Sequence, residues 1–85
     1  MIVDVKAPEL GPGVTEITIV KWHKNVEDLV AEGEVLVEIM TEKVNNEMES
    51  PTSGTVLEIL YAKDEVVKVG NTMARIEEKN GQPEK

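Results

Sequence analysis

The sequence contains short apolar runs, rich in valine and isoleucine, that polar residues, glycines and prolines interrupt every few positions. Stiff β-branched side chains in short runs bounded by turn residues are typical of β-strands. No segment of ten residues shows the apolar spacing of a helix. Short bridges are expected near Val30 and Val67. We therefore predict an all-β domain with six main strands: Ile2–Ala7, Glu16–Trp22, Leu36–Thr41, Val44–Glu49, Val56–Tyr61 and Met73–Glu77.

The chain repeats itself after 37 residues. "IVKWHKNVEDLVAEGEVLVEI" (Ile19–Ile39) aligns with "VLEILYAKDEVVKVGNTMARI" (Val56–Ile76), and Gly33 falls on Gly70. Both glycines are expected to adopt backbone conformations that other residues disfavour. Two copies of one β unit predict a pseudo-symmetric pair of small sheets packed together.

The repeat also predicts where the domain ends. The 37-residue shift places Lys43 on Asn80, inside the polar tail "KNGQPEK", which has the composition of a linker. We expect a folded domain over residues 1–78 and the start of a flexible linker over 79–85. Pseudo-twofold packing would then put Lys43 at the end of the molecule opposite the tether.

Composition narrows the possible partners. The formal net charge is -8, which disfavours nucleic acid and an anionic membrane surface as partners. The chain has no cysteine, which excludes disulfides and thiolate chemistry and suits a reducing compartment. "MIVDVKAPEL" resembles neither a secretory signal nor a transit peptide. These features together favour a cytoplasmic protein.

No catalytic group of residues is evident. His23 is the only histidine and has no serine or cysteine partner at a motif spacing. The acidic pairs Glu27–Asp28 and Glu77–Glu78 are expected on the solvated surface, because adjacent strand residues face opposite sides. Phosphate-binding glycine loops and metal-ligand spacings are also absent from the sequence. We therefore expect no enzyme activity from this domain alone.

Lys43 is the remaining candidate, since it lies between two apolar runs where a hairpin would turn. An exposed turn lysine can simply prevent strand edges from pairing between molecules. The dipeptide Asn45–Asn46 is a competing turn site, because asparagine favours tight hairpin turns. Spacing alone leaves both the function of Lys43 and the position of the turn open.

The segment "GEVLVEIMTEKVNNEMESPTSG" resembles the lipoyl-lysine segment of lipoyl domains from 2-oxo acid dehydrogenase acyltransferases. In this family a glycine lies ten residues before the lysine, as Gly33 does here, and a Ser-Pro…Gly pattern follows it, as in Ser50, Pro51 and Gly54. The similarity extends over about residues 2–78. Three neighbours of the lysine depart from the family pattern: Met40, Glu42 and Val44. "EITIVKWH" slightly favours the branched-chain type.

The resemblance implies a flattened β-barrel or sandwich of two antiparallel sheets, the barrel-sandwich hybrid, with lipoate attached covalently to Lys43. Glu42 and Val44 would be the flanking residues that are recognised. The implied partners are a lipoate ligase or lipoyltransferase, a thiamine-dependent 2-oxo acid decarboxylase, dihydrolipoamide dehydrogenase and a catalytic acyltransferase domain on the same chain. The isolated domain is expected to be a monomeric, non-catalytic carrier.

Two alternatives remain open. Biotin carrier domains share the fold and the turn lysine, but their lysine lies between two methionines, whereas Lys43 lies between Glu42 and Val44. The other alternative is an unmodified β-sandwich that serves only as an interaction module.

Overall fold

A computed structural model describes residues 1–42 and 44–78 of the chain. The described residues form eight strands and no helix: β1 (Ile2–Lys6), β2 (Glu16–Trp22), β3 (Leu29–Val30), β4 (Val35–Met40), β5 (Asn45–Glu49), β6 (Gly54–Ile59), β7 (Val66–Lys68) and β8 (Thr72–Glu78). They make two antiparallel four-stranded sheets, sheet 1 in the order β1-β8-β6-β3 and sheet 2 in the order β5-β4-β2-β7. No helix in this part of the chain is long and apolar enough to cross a membrane.

The all-β prediction is confirmed, and the architecture is a sandwich of two separate sheets rather than a closed barrel. β2 has the predicted bounds, and the two expected bridges are the short strands β3 and β7. The largest difference is β6, which spans Gly54–Ile59 instead of the predicted Val56–Tyr61. Because Gly54 has no side chain, its backbone can pair closely with Glu78, and the strand therefore begins two residues earlier.

The two halves are related by a pseudo-twofold arrangement, as the 37-residue repeat predicts. β2 and β4 occupy the two central places of sheet 2, and β6 and β8 occupy those of sheet 1. Each half also contributes its short strand to the other half's sheet, since β3 pairs with β6 and β7 pairs with β2. This exchange of short strands joins the two sheets.

Equivalent backbone contacts recur in the two halves. The N–H of Glu27 donates to the carbonyl of Val56 at 2.7 Å. The equivalent bond of the second repeat runs from the N–H of Asp64 to the carbonyl of Ile19, also at 2.7 Å. Gly33 and Gly70 have φ values of 87° and 93°, which confirms their predicted role.

The core lies between the sheets. Thirteen apolar side chains of the described residues are buried there, and the largest fully buried ones are Ile17, Ile19, Leu36, Ile39, Met73 and Ile76. Trp22 packs against this core while remaining partly exposed, and its indole Nε1–H donates to the carbonyl of Tyr61 at 2.8 Å. The tryptophan thus closes one side of the sandwich instead of filling its centre.

The connection between β4 and β5 lies at the end of the molecule opposite the point where the chain leaves the fold. β8 begins at the same end as this connection, since the N–H of Val69 donates to the carbonyl of Thr15 just before β2. β8 then runs the length of sheet 1 to Glu78, whose N–H donates to the carbonyl of Met1 at 2.8 Å. The predicted linker, residues 79–85, lies outside the described residues.

Candidate attachment site

The candidate site is the hairpin connection between β4 and β5. Met40 and Asn45 are the last paired residues of the two strands, and the N–H of Thr41 donates to the carbonyl of Val44 at 2.9 Å. Only two positions, 42 and 43, separate Thr41 from Val44. Lys43 itself lies outside the described residues. The end of a hairpin whose two strands are paired is a suitable place from which to present a side chain to partners.

The two flanking residues predicted to be recognised are both on the surface. Glu42 is exposed, and Val44 is 55% exposed. An exposed valine beside a turn gains nothing from the core, which leaves it available for contacts with another molecule.

The competing turn at Asn45–Asn46 is not formed. Both asparagines belong to β5, where Asn45 pairs with Met40 and Asn46 with Ile39. The same register places Met48 opposite Val37, and Met48 packs against the core. Pairing of apolar residues between the strands therefore overrides the local turn preference of the asparagines.

A groove of about 440 Å³ lies beside the hairpin connection. One wall is the segment that leads into β2, and the other is the connection itself; the lining residues are Pro12, Gly13, Val14, Thr15, Glu16, Thr41, Glu42 and Val44. The segment is turned back by a hydrogen bond from the N–H of Val14 to the carbonyl of Gly11 at 3.2 Å. The lining combines aliphatic side chains with the hydroxyls of two threonines and the carboxylates of Glu16 and Glu42.

The family landmarks of the sequence do not lie near the attachment position. β5 leads away from the hairpin connection, so Ser50 and Gly54 are at the far end of the molecule. There the N–H of Gly33 donates to the carbonyl of Ser50 at 3.0 Å, and the buried Ser50 hydroxyl donates to the carbonyl of Thr52 at 2.6 Å. These residues fix the backbone around the ends of β5 and β6 and do not form part of the site.

His23 has a partner that the sequence did not reveal. Its Nε2 lies 2.7 Å from Oε2 of Glu38, and both side chains are partly exposed. The pair lies toward the end of β2 away from the hairpin connection, so it takes no part in the site. Among residues 1–42 and 44–78, no cluster of three or more histidine, aspartate or glutamate side chains is arranged to hold a metal ion.

Several acidic side chains organise turns instead of being merely solvated. Asp28, predicted to be a surface residue, accepts from the N–H of Asn25 at 2.8 Å, and Glu65 accepts from that of Ala62 at 2.6 Å. Glu78 accepts from the Thr52 hydroxyl at 2.7 Å. The prediction that the pairs Glu27–Asp28 and Glu77–Glu78 are only solvated surface is therefore too simple for Asp28 and Glu78, whose carboxylates accept hydrogen bonds from other parts of the chain.

Among the residues that the structure describes, two charged groups have shifted pKa values, and both lie away from the site. The pKa of Glu34 is lowered, first by a hydrogen bond from Lys24 and then by the N–H of Ala31. The pKa of Arg75 is raised, first by its hydrogen bond to Glu58. Each shift arises from a surface ion pair that favours the charged form.

The chain matches a family model described as biotin-requiring enzyme, the biotin/lipoyl family, over residues 3–76. It is 49% identical over 77 residues to the dihydrolipoyllysine-residue acetyltransferase component of the pyruvate dehydrogenase complex of Corynebacterium glutamicum, a match covering 91% of this chain and 11% of that protein. It is 42% identical over 78 residues to the succinyltransferase component of the 2-oxoglutarate dehydrogenase complex of Staphylococcus saprophyticus, covering 92% and 18%.

A branched-chain relative is similar at a lower level. The lipoamide acyltransferase component of the branched-chain α-keto acid dehydrogenase complex of Pseudomonas putida is 38% identical over 73 residues, covering 86% of this chain and 17% of that protein. The slight preference for the branched-chain type seen in "EITIVKWH" thus gains no support from the identities. The chain spans about a tenth to a fifth of the length of these relatives.

A solved structure has the same fold. The lipoyl domain of the 2-oxoglutarate dehydrogenase complex from Azotobacter vinelandii superposes with a TM-score of 0.76 at 29% identity, covering 89% of this chain and 96% of that one. The family match covers most of the chain, and the structural match covers nearly all of a lipoyl domain. The chain therefore belongs to the biotin/lipoyl family and is a lipoyl domain, similar to those of the acyltransferase components of 2-oxo acid dehydrogenase complexes.

Proposed function

We propose that lipoate is attached through an amide to the side-chain amine of Lys43, and that the domain carries acyl groups for a 2-oxo acid dehydrogenase complex. The observation that supports this most is the tight connection between Thr41 and Val44, located at the end of a lipoyl domain opposite the chain exit. A tethered domain in this orientation presents its arm away from its own linker.

The protein's part in the chemistry is presentation. Lys43 supplies a primary amine on a flexible four-carbon stem, and attachment removes its charge and lengthens the arm. Bound lipoate supplies a disulfide that can accept electrons and an acyl group. The paired strands β4 and β5 would support the attachment position, and the bound cofactor would supply the chemistry. We therefore propose that it is a non-catalytic carrier.

The proposed partners follow from this role. A lipoate ligase or lipoyltransferase would modify Lys43, and a thiamine-dependent decarboxylase would then load the arm with an acyl group. An acyltransferase domain on the same chain would pass the acyl group to coenzyme A. Dihydrolipoamide dehydrogenase would finally reoxidise the dithiol. Tethering raises the effective concentration of the domain near these partners, so weak docking suffices. We place the protein in the cytoplasm, consistent with a chain that has no cysteine.

Recognition by the ligase is proposed to depend on hairpin geometry together with the flanking side chains Glu42 and Val44. Both depart from the usual family residues, yet the connection between Thr41 and Val44 is tight and the flanking residues are exposed. The longer acid at position 42 keeps the negative charge beside the lysine. We expect Glu42→Asp to be lipoylated as fast as the parent.

The proposal is tested by incubating the domain with lipoate, ATP and a bacterial lipoate ligase and measuring its intact mass. We expect the addition of one lipoyl group to the parent and none to Lys43→Gln, which should retain the parent's fold. A parallel incubation with biotin and a biotin ligase tests the alternative carrier function. Biotin addition without lipoyl addition would contradict the proposal, and no addition of either would favour an interaction module.

The 2-oxo acid is identified with the lipoylated domain. Decarboxylases specific for pyruvate, 2-oxoglutarate and branched-chain 2-oxo acids are each supplied with their substrate, and reductive acylation is measured. The expected result is one decarboxylase with a kcat/KM well above those of the other two.

A further inference from the structure

The groove beside the hairpin connection is open at a place where the other half of the molecule is closed. The 37-residue shift carries Thr15 and Thr41, which both line the groove, onto Thr52 and Glu78. In the second half the Thr52 hydroxyl donates to Oε2 of Glu78 at 2.7 Å, and Thr52 is buried. The same fold therefore packs this place shut in one half and leaves a groove of about 440 Å³ in the other.

Gly13 is one residue that keeps the groove open, and its equivalent in the second half is Ser50. Ser50 is buried, and its hydroxyl donates to the carbonyl of Thr52 at 2.6 Å. Gly13 is exposed, and a Cβ atom built on it would meet no atom within 4 Å. Because the second half shows that the fold is able to fill this position, the space in the first half is available for another group.

The groove lies directly beside the attachment position. Glu42 and Val44, the residues on either side of Lys43, both line it. The opposite wall is the segment over residues 12–16, where the N–H of Val14 donates to the carbonyl of Gly11. A group attached to Lys43 therefore starts at the edge of the groove. Its tether gives it an effective concentration there in roughly the millimolar range.

The lining suits an aliphatic chain with an amide at its base. Pro12, Val14 and Val44 supply aliphatic surface, and the Thr41 hydroxyl and the Glu42 carboxylate are acceptors for an amide N–H. Attachment of lipoate removes the charge of the lysine, so the arm becomes a neutral chain of mainly methylene groups. Contact of such a chain with aliphatic side chains removes apolar surface from water. The volume also lies within the range of about 300–1,000 Å³ typical of small-molecule sites.

We propose that this groove is the resting place of the lipoyl arm, in which the chain lies against Val14 and Val44 between visits to partner enzymes. The inference rests on the proposed attachment of lipoate to Lys43. An affinity of about 1 mM for the free chain would match the effective concentration of the tethered arm, which would then occupy the groove about half of the time. Occupancy at this level reduces exposure of the arm to water and still lets a partner draw it out.

The test is NMR of the domain carrying lipoate that is labelled with carbon-13 in its chain methylenes. Complete lipoylation is first checked by intact mass, and the unmodified domain is the reference. Contact of the arm with Val44 would follow from its place next to Lys43, so Val14, on the opposite wall, is the diagnostic residue. We expect a nuclear Overhauser cross-peak between the arm methylenes and the Val14 methyl groups. Lipoylation should also shift the amide signals of residues 13–16.

Two variants on the same wall should change the occupancy in opposite directions. Val14→Thr replaces a methyl group by a hydroxyl, and Thr15→Val makes the reverse change while keeping the backbone bond from Val69 to the Thr15 carbonyl. One apolar group changes the occupancy constant about threefold, so the amide shifts caused by lipoylation should fall to about half of the parent's in Val14→Thr and rise to about 1.5 times in Thr15→Val. Val66→Thr is the matched control, since Val66 is 52% exposed on β7 outside the groove, and it should match the parent. The melting temperature of each protein is measured.

Two results would overturn the proposal. The first is a fully lipoylated parent with no cross-peak to Val14 and unmoved amide signals over residues 13–16. The second is an equal set of shifts in the parent, Val14→Thr and Thr15→Val, which would show that the shifts arise from the modified hairpin alone. A parent that the ligase does not lipoylate would overturn the attachment itself and the resting place with it, which distinguishes the two failures.

Discussion

Gly54 should be among the positions of this domain least tolerant of a side chain. A Cβ atom built at Gly54 would lie 2.0 Å from the carbonyl oxygen of Glu77, 2.8 Å from its carbonyl carbon and 3.1 Å from Cα of Glu78. Ordinary van der Waals contact begins near 3.4 Å. All three atoms belong to the backbone of β8, so no side-chain rotation can relieve the clash. Gly54→Ala therefore requires β6 and β8 to move apart by more than 1 Å.

The expected cost follows from that displacement. A backbone hydrogen bond of about 2.9 Å that lengthens by about 1 Å is lost, and each loss costs about 0.5–1.5 kcal/mol. The loss of one such bond adds to the cost of the overpacking itself, which is about 1–3 kcal/mol. Fraying of β8 at Glu78 relieves part of this strain, although it breaks the bonds of Glu78 to Met1 and Thr52. We expect a destabilisation of about 2–4 kcal/mol, a large part of a small domain's total.

The change is measured by urea unfolding followed through Trp22 fluorescence. Gly13→Ala is the control, because its new Cβ would meet no atom within 4 Å while its φ of 83° remains unfavourable for alanine. The control should lose only about 1–2 kcal/mol from the left-handed backbone. A free energy of unfolding for Gly54→Ala within 0.5 kcal/mol of the parent, or above that of the control, would refute the steric argument.

Three further predictions concern the rest of the domain. Trp22→Ala should destabilise the domain by about 3 kcal/mol, the lower end of the range for large core residues, because the indole is partly exposed. The loss is measured by calorimetry of both proteins at the same pH, and a clearly smaller loss would contradict the prediction. The pKa of Glu34 should lie below the usual glutamate range, because its carboxylate pairs with Lys24. The stability that this ion pair contributes is fully present above a pH of about 4.3 and is lost as the pH falls through the lowered pKa. An NMR titration of Glu34 with an unshifted midpoint would contradict this assignment. The exchange Glu42→Lys with Lys43→Glu moves the amine by one residue toward the other face of the hairpin. The variant should fold, and the ligase should lipoylate it slowly. A lipoylation rate equal to the parent's would instead show that any exposed lysine in this turn suffices.

The repeated unit made most of the fold predictable. The spacing of β-branched runs and turn residues located the strands, and the match of Gly33 with Gly70 correctly anticipated two glycines with positive φ. Periodicity works here because one face of each strand is buried, which fixes which residues point inward. The same repeat also anticipated that the chain exit and the hairpin connection lie at opposite ends.

Contacts between residues far apart in sequence were not predictable. Glu27 and Asp64 adopt φ values of 79° and 74° without being glycine, held by backbone bonds to the other half of the molecule. The pairing of His23 with Glu38 arises from the β2–β4 register and has no local sequence pattern. Such features depend on how the sheets assemble, which a single strand does not encode.

The candidate site shows the same division. Family spacing pointed to Lys43, and local propensity alone could not choose between that turn and Asn45–Asn46. The strand register determines the position of the turn, because it pairs Met48 with Val37 at the core. The glycine at position 54 also matched the family pattern, but only the structure explains it, as a close approach of two backbones far from the hairpin connection.

We infer that Lys43 alone carries the arm that is loaded. The most direct measurement supplies the lipoylated domain with its decarboxylase and an isotopically labelled 2-oxo acid, digests it, and locates the acylated lipoyl group by mass spectrometry. We predict label only on the peptide that contains Lys43, and none on those containing Lys63 or Lys68. Label on another lysine, or a fully lipoylated Lys43 that none of the three decarboxylases acylates, would contradict the account.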